Sequence, residues 1–275
     1  MEIARYLFKF YYIGTKKFYG SQRQPNKLTI EDCLIETLLK GKYVKKLEDS
    51  GFEVASRTDR FVSARGATFS VKINKKPILM ELNSFLPKEI GLWAYTKVPL
   101  NFLSRFNAEY RHYKYFMPID KNLNLKLIKK ACKELEGRHD FKNFSKRENE
   151  VINTIRDMIS VDLEIRNDHI IFDFKSKAFL RQQIRRIVAK LIELGKRKIT
   201  YAEFRNLFDT NDYNSYQPAD PIGLILWDIV YRKDIEFVYD TKSLERMKNV
   251  FIKLEQDSNQ KRLLFKILQR NNVSY

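Results

Sequence analysis

Two short alternating runs near the middle of the chain constrain the fold more than any other feature. Apolar residues alternate with polar ones in both runs, at Val161, Leu163 and Ile165 and again at Ile170, Phe172 and Phe174. A period of two is that of a β-strand with one buried face. Asn167 and Asp168 stand between the runs, and such a pair suits a tight hairpin turn. The sequence therefore predicts a β-hairpin and an antiparallel sheet.

Other segments show the periodicities of further strands and of helices. Strands are predicted around residues 6–12, over 93–99 and 110–117, and, as a buried strand, over 223–231. Helices are predicted from the capping box at Thr29 to Gly41, from Asn124 to Leu135, from near Lys177 to Gly195, and, as one helix or a pair, over 241–270. Strands mixed with a few helices and a hairpin are typical of an α+β fold with an antiparallel sheet.

The balance of charge indicates an anionic partner. The chain has 52 basic and 34 acidic residues, a formal charge of +18, and 44% hydrophobic residues, which excludes a disordered chain. A small domain needs a charge of only about 2 to 8 for solubility. Nucleic acid is the first candidate partner and an acidic membrane surface the second. No stretch approaches the roughly 18 apolar residues of a spanning helix, so no membrane segment is expected.

Cysteine and histidine do not form a metal-binding pattern. Cys33 and Cys132 lie far apart and outside any Cys-x-x-Cys pair, so we interpret them as buried free thiols in a reducing cytoplasm. His112, His139 and His169 have no ligand spacing between them. The sequence predicts no zinc or other metal site.

One acid, Asp59, is isolated among arginines in the segment VASRTDRFVSARG. Arg57 and Arg60 flank it and would keep a carboxylate ionised. Asp59 is either a turn residue with a solvated salt bridge or a charged group held ready for a substrate. The segment by itself favours the turn residue.

The segment RHYKY, residues 111–115, combines aromatic and basic residues. In a strand, Tyr113 and Tyr115 share one face, and His112 and Lys114 share the other. Tyrosines on a strand face usually belong to the core. Interleaved with basic residues, they also suit stacking on an unpaired base.

The segment RQQIRR, residues 181–186, supplies a basic helix flank. Arg181 and Arg185 are four residues apart, which predicts one side of a helix beside its apolar stripe. Such a flank is usually solvated or contacts phosphates. Because Arg185 follows the core-facing Ile184, it can instead lie at the edge of a cleft and pair with a carboxylate.

Together these segments resemble the signature blocks of a known family. Three segments occur in the same order as the signature blocks of the tRNA pseudouridine synthase A family, namely SRTDRFVSARG, YRHYKYFM and FLRQQIRRIVAKLIELG. The chain resembles an archaeal-like member of that family. FYGSQRQP, GRHDFKNFS and PADPIGLILWDIVY are similar to further segments of that family. The resemblance spans about residues 5–231.

The resemblance assigns roles to individual residues. Asp59 of the R-T-D core would be the catalytic residue, as a nucleophile or, alternatively, as a group that assists proton removal at C2′. Tyr113 would stack on the target base, and Arg185 would pair with Asp59. Three further arginines are expected to bind the RNA substrate, namely Arg57, Arg60 and Arg181.

Two residues depart from the common family pattern. Ser56 replaces a usual glycine before R-T-D, and Phe61 replaces a glycine after it. Phe61 cannot adopt the backbone angles of glycine at the same low cost. The shape of this loop is therefore open, whereas the three chemical groups are present.

The resemblance also implies an activity and a fold. The activity is isomerisation of uridine to pseudouridine in tRNA, without a cofactor, usually in the anticodon arm at positions 38 to 40. A cytoplasmic homodimer is expected, in which one tRNA contacts both subunits. The alternatives are a metal-dependent nuclease and a non-catalytic RNA-binding protein of the same fold.

The implied fold has two α/β, ferredoxin-like subdomains that share a central antiparallel sheet. We expect an N-terminal subdomain over 1–103 with the Asp59 loop and a second over 104–232 with the tyrosine and arginine motifs. Residues 233–275 are expected to form a helical C-terminal extension.

Overall fold

In the described part of the chain, ten strands form a single sheet. The computed structural model describes residues 3–147, 153–211, 213 and 215–269. The strands are β1 (Ala4–Tyr12), β2 (Glu53–Val54), β3 (Ser63–Ile73), β4 (Ile90–Val98), β5 (Tyr110–Pro118), β6 (Gly137–Asp140), β7 (Ile155–Ile165), β8 (His169–Ser176), β9 (Leu224–Val230) and β10 (Val238–Tyr239). The α-helices are α1 (Ile30–Lys40), α2 (Leu47–Ser50), α3 (Leu79–Phe85), α4 (Leu125–Glu134), α5 (Gln183–Gly195), α6 (Tyr201–Asn206) and α7 (Thr241–Leu268). Across the sheet the strands follow the order β10-β4-β1-β3-β9-β5-β8-β7-β6, and β2 pairs with β3.

The N-terminal half of the sheet is built on β1, which pairs antiparallel with β3 and β4. Phe8 stacks on the opposite Phe69 with 4.9 Å between ring centroids, and both rings belong to one buried cluster with α1. The predicted capping box begins that helix: Thr29 Oγ1 accepts from the Asp32 amide, and Asp32 Oδ2 accepts from the Thr29 amide. These bonds satisfy amides that have no partner inside the helix.

The C-terminal half of the sheet contains the predicted hairpin, which the structure confirms as β7 and β8. Ile165 pairs with Ile170, and the Arg166 amide donates to the His169 carbonyl at 2.9 Å, which closes the turn. Ile170, Phe172 and Phe174 of β8 are buried, and α4 contacts both β7 and α5. The two helices therefore cover one face of this half.

The two halves of the sheet meet where β9 lies between β3 and β5. Ala64 of β3 and Tyr113 of β5 both pair with Leu226, so they are two strands apart. The β3–β9 pairing is parallel, whereas the other pairings are antiparallel. The predicted α+β fold with a central antiparallel sheet and a C-terminal helix is confirmed, apart from this one short parallel contact.

Strand β9 is confirmed, but the prediction that it is buried holds for one face only. Leu224, Leu226 and Ile229 are buried, whereas Trp227 is half-exposed. The guanidinium of Arg65 and the ammonium of Lys114 each lie 4.9 Å from the centroid of the Trp227 ring. Charged side chains pack on this ring in place of an apolar core. Trp227 lies at the register shift of the β9–β5 pairing, where it has no partner in β5.

Helix α5 begins later than predicted, at Gln183 and not near Lys177. Gln182 has a φ of 59°, a left-handed conformation that cannot continue a helix, and the Gln183 side chain accepts from the Leu180 amide at 2.7 Å. Residues 177–182 therefore form a loop. Arg181 belongs to this loop, so the predicted helical spacing between Arg181 and Arg185 is wrong.

Over residues 233–269, the described part of the C-terminal extension, there is one helix, α7, and not a pair. Before it, Val238 and Tyr239 pair with β4 and extend the sheet by one edge strand. Residue 270, the last residue of the predicted helical segment, lies outside the described residues. Helices with the length and apolar surface required to cross a bilayer do not occur in the described part of the chain. The boundaries 1–103, 104–232 and 233–275 stay a prediction.

Candidate active site

The segment between β2 and β3, residues 55–62, carries Asp59 and is called here the Asp59 loop. Its first residue is held by Arg111, which is buried with 6% of its surface exposed. The Arg111 guanidinium donates to the carbonyl oxygens of Ala55 at 2.9 Å, Arg105 at 2.6 Å and Lys177 at 2.5 Å. A planar group with several fixed donors suits this task, and it ties three segments together at the base of the loop.

Thr58 fixes the middle of the Asp59 loop. Its amide donates to Ser21 Oγ at 2.8 Å, its carbonyl accepts from the Ser21 amide at 3.2 Å, and its hydroxyl lies 2.6 Å from Tyr12 Oη. Gly20 approaches so closely, with a φ of 93°, that a Cβ would lie 3.1 Å from the Thr58 carbonyl oxygen. Backbone and side chain of Thr58 are thus set before a substrate binds.

Phe61, which replaces a glycine of the family pattern, has a left-handed backbone conformation. Its φ is 68°, in the left-handed region that favours glycine, so the loop combines a glycine-like backbone with a bulky residue. Such a conformation costs of order 1 kcal/mol. Gly14 packs against this site, where a Cβ would lie 2.3 Å from the Phe61 carbonyl. The guanidinium of Arg60 lies 4.7 Å from the Phe61 ring centroid.

Asp59 and Arg185, 126 residues apart, form an ion pair across the join of the two half-sheets. Arg185 Nη1 donates to Asp59 Oδ2 at 2.6 Å, and Arg185 Nε donates to the Ala219 carbonyl at 2.7 Å. The Arg185 side chain is 10% exposed and the Asp59 side chain 32% exposed. Among the described residues no hydrogen bond reaches Asp59 Oδ1. The carboxylate is therefore held from one side and open to a ligand on the other.

Tyr113 projects from β5 toward the same loop. Its hydroxyl oxygen lies 2.9 Å from Ser56 Oγ, and its ring meets Phe179 edge to face with 5.2 Å between centroids. The residue is 5% exposed, and burial raises the pKa of its hydroxyl. The predicted alternation of this strand is observed, since His112 and Lys114 face the other side and both contact Asp173.

The other predicted site residues, Arg57, Arg60 and Arg181, lie on the Asp59 loop and on the loop before α5. Arg57 is exposed on the Asp59 loop, and Arg181 is exposed on the loop before α5, where its carbonyl accepts from the Lys146 amide. The Arg60 guanidinium lies 4.0 Å from the Tyr19 ring centroid and donates to the Lys16 carbonyl. Arg60 therefore clamps the loop on the segment before α1.

Known proteins are similar to this chain over most of its length. The family model described as tRNA pseudouridine synthase matches residues 131–232. tRNA pseudouridine synthase A of Archaeoglobus fulgidus is 34% identical over 248 residues, which cover 90% of this chain and 91% of that protein. The chain belongs to this family. The tRNA pseudouridine synthase A of Methanosphaera stadtmanae is 32% identical over 98% of this chain and 100% of its own length.

Two solved structures have a distant resemblance to this member of the tRNA pseudouridine synthase A family. The crystal structure of a Cbf5-Nop10-Gar1 complex matches with a TM-score of 0.35 and 13% identity, over 67% of this chain and 44% of that chain. An unknown protein from Galdieria sulphuraria matches with a TM-score of 0.22 and 14% identity, over 70% of this chain and 92% of that chain.

Apart from Arg60, the residues that hold the Asp59 loop are not among those that sequence reasoning singles out for this site. The sequence places Arg111 beside tyrosines suited to base stacking, but its guanidinium lies in the interior on three carbonyls. Tyr12 is one of several alternating aromatics in β1, and Ser21 lies in FYGSQRQP, a segment that resembles the family but does not by itself indicate a contact with Thr58. A bulky residue in place of glycine at Phe61 is the one visible sign that this loop has a demanding backbone.

The three histidines have partners of their own in the structure. His112 Nε2 lies 2.8 Å from Asp173, His139 Nε2 lies 2.7 Å from the Glu136 carbonyl, and His169 Nδ1 lies 2.6 Å from Asp168. Within the described ranges, no three histidine, cysteine or acidic side chains come together as metal ligands. Cys33 and Cys132 are free and buried, and burial raises the pKa of the Cys132 thiol to about 12.

Proposed function

We propose that this chain converts uridine to pseudouridine in the anticodon arm of tRNA, at positions 38 to 40, with Asp59 as the catalytic residue. As a tRNA pseudouridine synthase A family member it is an isomerase that acts on tRNA. The observation that carries the assignment of the site is the ion pair of Asp59 with Arg185 at 2.6 Å, beside Tyr113. The nucleotide position and the residue roles are the proposed part.

Asp59 acts at the ribose or the base of the target nucleotide. The reaction breaks the bond between N1 and C1′, turns the uracil, and joins C5 to C1′ of the same ribose. An ionised carboxylate serves this reaction as a nucleophile, and its alternative role is proton removal at C2′. Arg185 binds Oδ2 and leaves Oδ1 toward the open side, which directs the carboxylate at an incoming nucleotide.

Tyr113 stacks on the target base in this proposal. A base must leave its helical stack to reach Asp59, and an aromatic ring that receives it offsets part of the cost. Because the ring is 5% exposed and lies against Phe179, RNA binding has to move the loop of residues 177–182. This loop ends at Gln182, whose left-handed backbone separates it from the rigid helix α5.

The charge of the chain supports binding of the RNA backbone around this site. A formal charge of +18 exceeds what solubility requires, and Arg57 and Arg181 are exposed on the two loops that precede β3 and α5. Arginines at such positions contact phosphates and set the orientation of the RNA. Arg60 contributes by holding the Asp59 loop in place and by adding positive charge beside it.

We also propose that the protein works in the cytoplasm as a homodimer in which one tRNA contacts both subunits. This extends what the family resemblance implies to this chain. Light scattering at working concentration tests the dimer and is expected to return about twice the chain mass of 32.9 kDa. A mass near that of one chain would contradict it.

The position of the modified uridine is tested by mapping pseudouridine in tRNA from cells with and without this protein. We expect loss of pseudouridine at positions 38 to 40 and no change elsewhere. A second assay with purified protein and an unmodified tRNA transcript separates direct action from indirect effects. Repeating it with a chelator tests whether the activity depends on a metal ion. Product that forms at other positions only would contradict the anticodon-arm assignment.

A further inference from the structure

Ser56 stands where the family pattern commonly has glycine, and it gives the Asp59 loop a hydroxyl that contacts Tyr113. Ser56 Oγ lies 2.9 Å from Tyr113 Oη, a normal distance for a hydroxyl–hydroxyl hydrogen bond. Either oxygen can donate. No second hydrogen bond to the Tyr113 hydroxyl occurs among the described residues, so Ser56 is what orients it within this site.

The backbone at Ser56 does not need a glycine. Its φ is not among the positive values found at Phe61 and Gln182, so residues with a Cβ fit without strain. The next residue back, Ala55, is fixed through its carbonyl by Arg111, and Thr58 is fixed by Ser21 and Tyr12. The hydroxyl of Ser56 is therefore presented from a loop that is anchored on both sides.

The pair links the two candidate groups of the site. Asp59 follows Ser56 by three residues on the same loop, whereas Tyr113 belongs to β5 in the other half of the sheet. A glycine at position 56 would leave the Tyr113 hydroxyl without this partner. A hydroxyl pair also sets where the tyrosine hydrogen points, because one oxygen must accept what the other donates.

We propose that Ser56 is a positioning residue, which fixes the place and the hydrogen direction of the Tyr113 hydroxyl relative to Asp59. The inference rests on the proposed function of the site. It concerns a feature of this chain, since the hydroxyl of Ser56 makes a hydrogen bond with Tyr113 that a glycine at this position cannot make. Ser56 acts through Tyr113 and need not touch the RNA.

A double-mutant cycle tests this proposal, with single-turnover pseudouridine formation on an unmodified tRNA transcript at saturating enzyme. The four proteins are wild type, Ser56→Ala, Tyr113→Phe and the double variant. Ser56→Ala is expected to slow the rate about three- to tenfold, as for loss of one neutral hydrogen bond, with tRNA affinity unchanged within about twofold. In the Tyr113→Phe background the same substitution should change the rate by less than about twofold.

Two controls keep the result interpretable. Ser56→Thr retains a hydroxyl and should restore most of the wild-type rate. Ser63→Ala removes a hydroxyl that accepts from the Gly14 amide at 3.1 Å, at the other end of the loop, and should change the rate alike in both backgrounds. Thermal melts establish that all variants are folded.

The possible failures are distinguishable. A wild-type protein that makes no pseudouridine would overturn the proposed function itself. An active wild type with an unchanged Ser56→Ala rate would overturn the role of Ser56. That role is also overturned if Ser56→Ala is equally harmful with and without the Tyr113 hydroxyl, or if Tyr113→Phe is fully active.

Discussion

Arg185 has two contacts that determine where its charge lies. Nε donates to the Ala219 carbonyl and Nη1 donates to Asp59, so both edges of the guanidinium are used. The side chain is 10% exposed, and a buried charge of this kind is costly without a partner. Arg185 is thus part of the same unit as Asp59 and is poorly placed to serve as a surface phosphate contact.

Arg185→Met should impair catalysis much more than RNA binding. Loss of the guanidinium leaves Asp59 without the donor that orients it, and removal of one such donor costs about 10²–10³ in rate. We expect the tRNA affinity of the variant to stay within about threefold of the wild-type value. Filter binding measures the affinity, and single-turnover kinetics measure the rate. Arg181→Met is the matched control, and it should lower affinity and reduce the salt slope by about one. The reverse pattern at Arg185 would remove it from the active site.

Single residues also show where sequence reasoning succeeds and fails. The motifs identify Asp59, Tyr113 and Arg185 because their order along the chain resembles a family, not because their spacing indicates contact. The buried role of Arg111 could not be predicted, since an arginine between tyrosines looks the same whether it faces RNA or three carbonyl oxygens. Which of the two surrounds Arg111 depends on the segments that pack against β5, and the local sequence does not contain that information.

Among the elements, the Asp59 loop depends on backbone shape as much as on its side chains. Phe61 holds a left-handed conformation, and the segment before α1 is packed against it through Gly14. A loop that must turn sharply between β2 and β3 needs such a residue, and glycine satisfies the need at lowest cost. In this chain the Phe61 ring adds a contact with Arg60 that a glycine would lack.

The order of glycine and alanine variants tests the backbone at Phe61. Phe61→Gly should be more stable than Phe61→Ala by about 1 kcal/mol, because only glycine adopts a positive φ without cost. At Ser56, where φ is not positive, the order should be reversed, with alanine more stable by about 0.4–1 kcal/mol. Chemical denaturation of the four variants measures both differences. The same order at both positions would contradict the loop conformation.

Helix α5 shows why element boundaries escape a sequence pattern. Leu180 and Ile184 keep helical spacing, so the apolar stripe continues smoothly into residues that are not helical. The break comes from the left-handed Gln182 and from the Gln183 side chain, which binds the Leu180 amide. A hydrogen bond from a side chain to the backbone leaves no trace in the hydrophobic periodicity. The periodicity therefore places the start of α5 about a turn and a half too early.

Across the whole molecule, one sheet connects the two halves of the candidate active site. The short parallel contact of β3 with β9 places the strand that follows the Asp59 loop two strands from β5, which carries Tyr113. Alternating patterns predict most strands and the α+β class. They could not predict a parallel pairing between strands about 160 residues apart, because strand order depends on contacts that local periodicity does not encode.

The excess of positive charge belongs to the whole molecule and should dominate RNA affinity. If about 6 to 10 phosphates are contacted, binding to tRNA should weaken by roughly 10³–10⁵ between 50 and 200 mM salt. A titration series at four or more salt concentrations gives the slope. An affinity that is nearly independent of salt would show that the charge of +18 serves another purpose.

The assignment of Asp59 as the catalytic residue is tested by two substitutions at that position. Asp59→Asn keeps nearly the same volume and removes the charge, and Asp59→Ala removes the whole group. Both should abolish pseudouridine formation, because no other acid of the loop can replace Asp59. Glu53, the acid that precedes Asp59 in the sequence, accepts hydrogen bonds from Ser104 and from the Arg105 amide. RNA binding should persist or tighten, since a negative charge next to the phosphates is lost.

The measurement is single-turnover product formation on an unmodified tRNA transcript, with folding of each variant checked by thermal melt and binding checked separately. We expect folded Asp59→Ala protein that binds tRNA and makes no pseudouridine. A turn residue would behave differently, at a cost of about 0.5–2 kcal/mol in stability with turnover per folded molecule unchanged. Folded Asp59→Ala protein that forms pseudouridine at a rate comparable to wild type would contradict the catalytic role of Asp59.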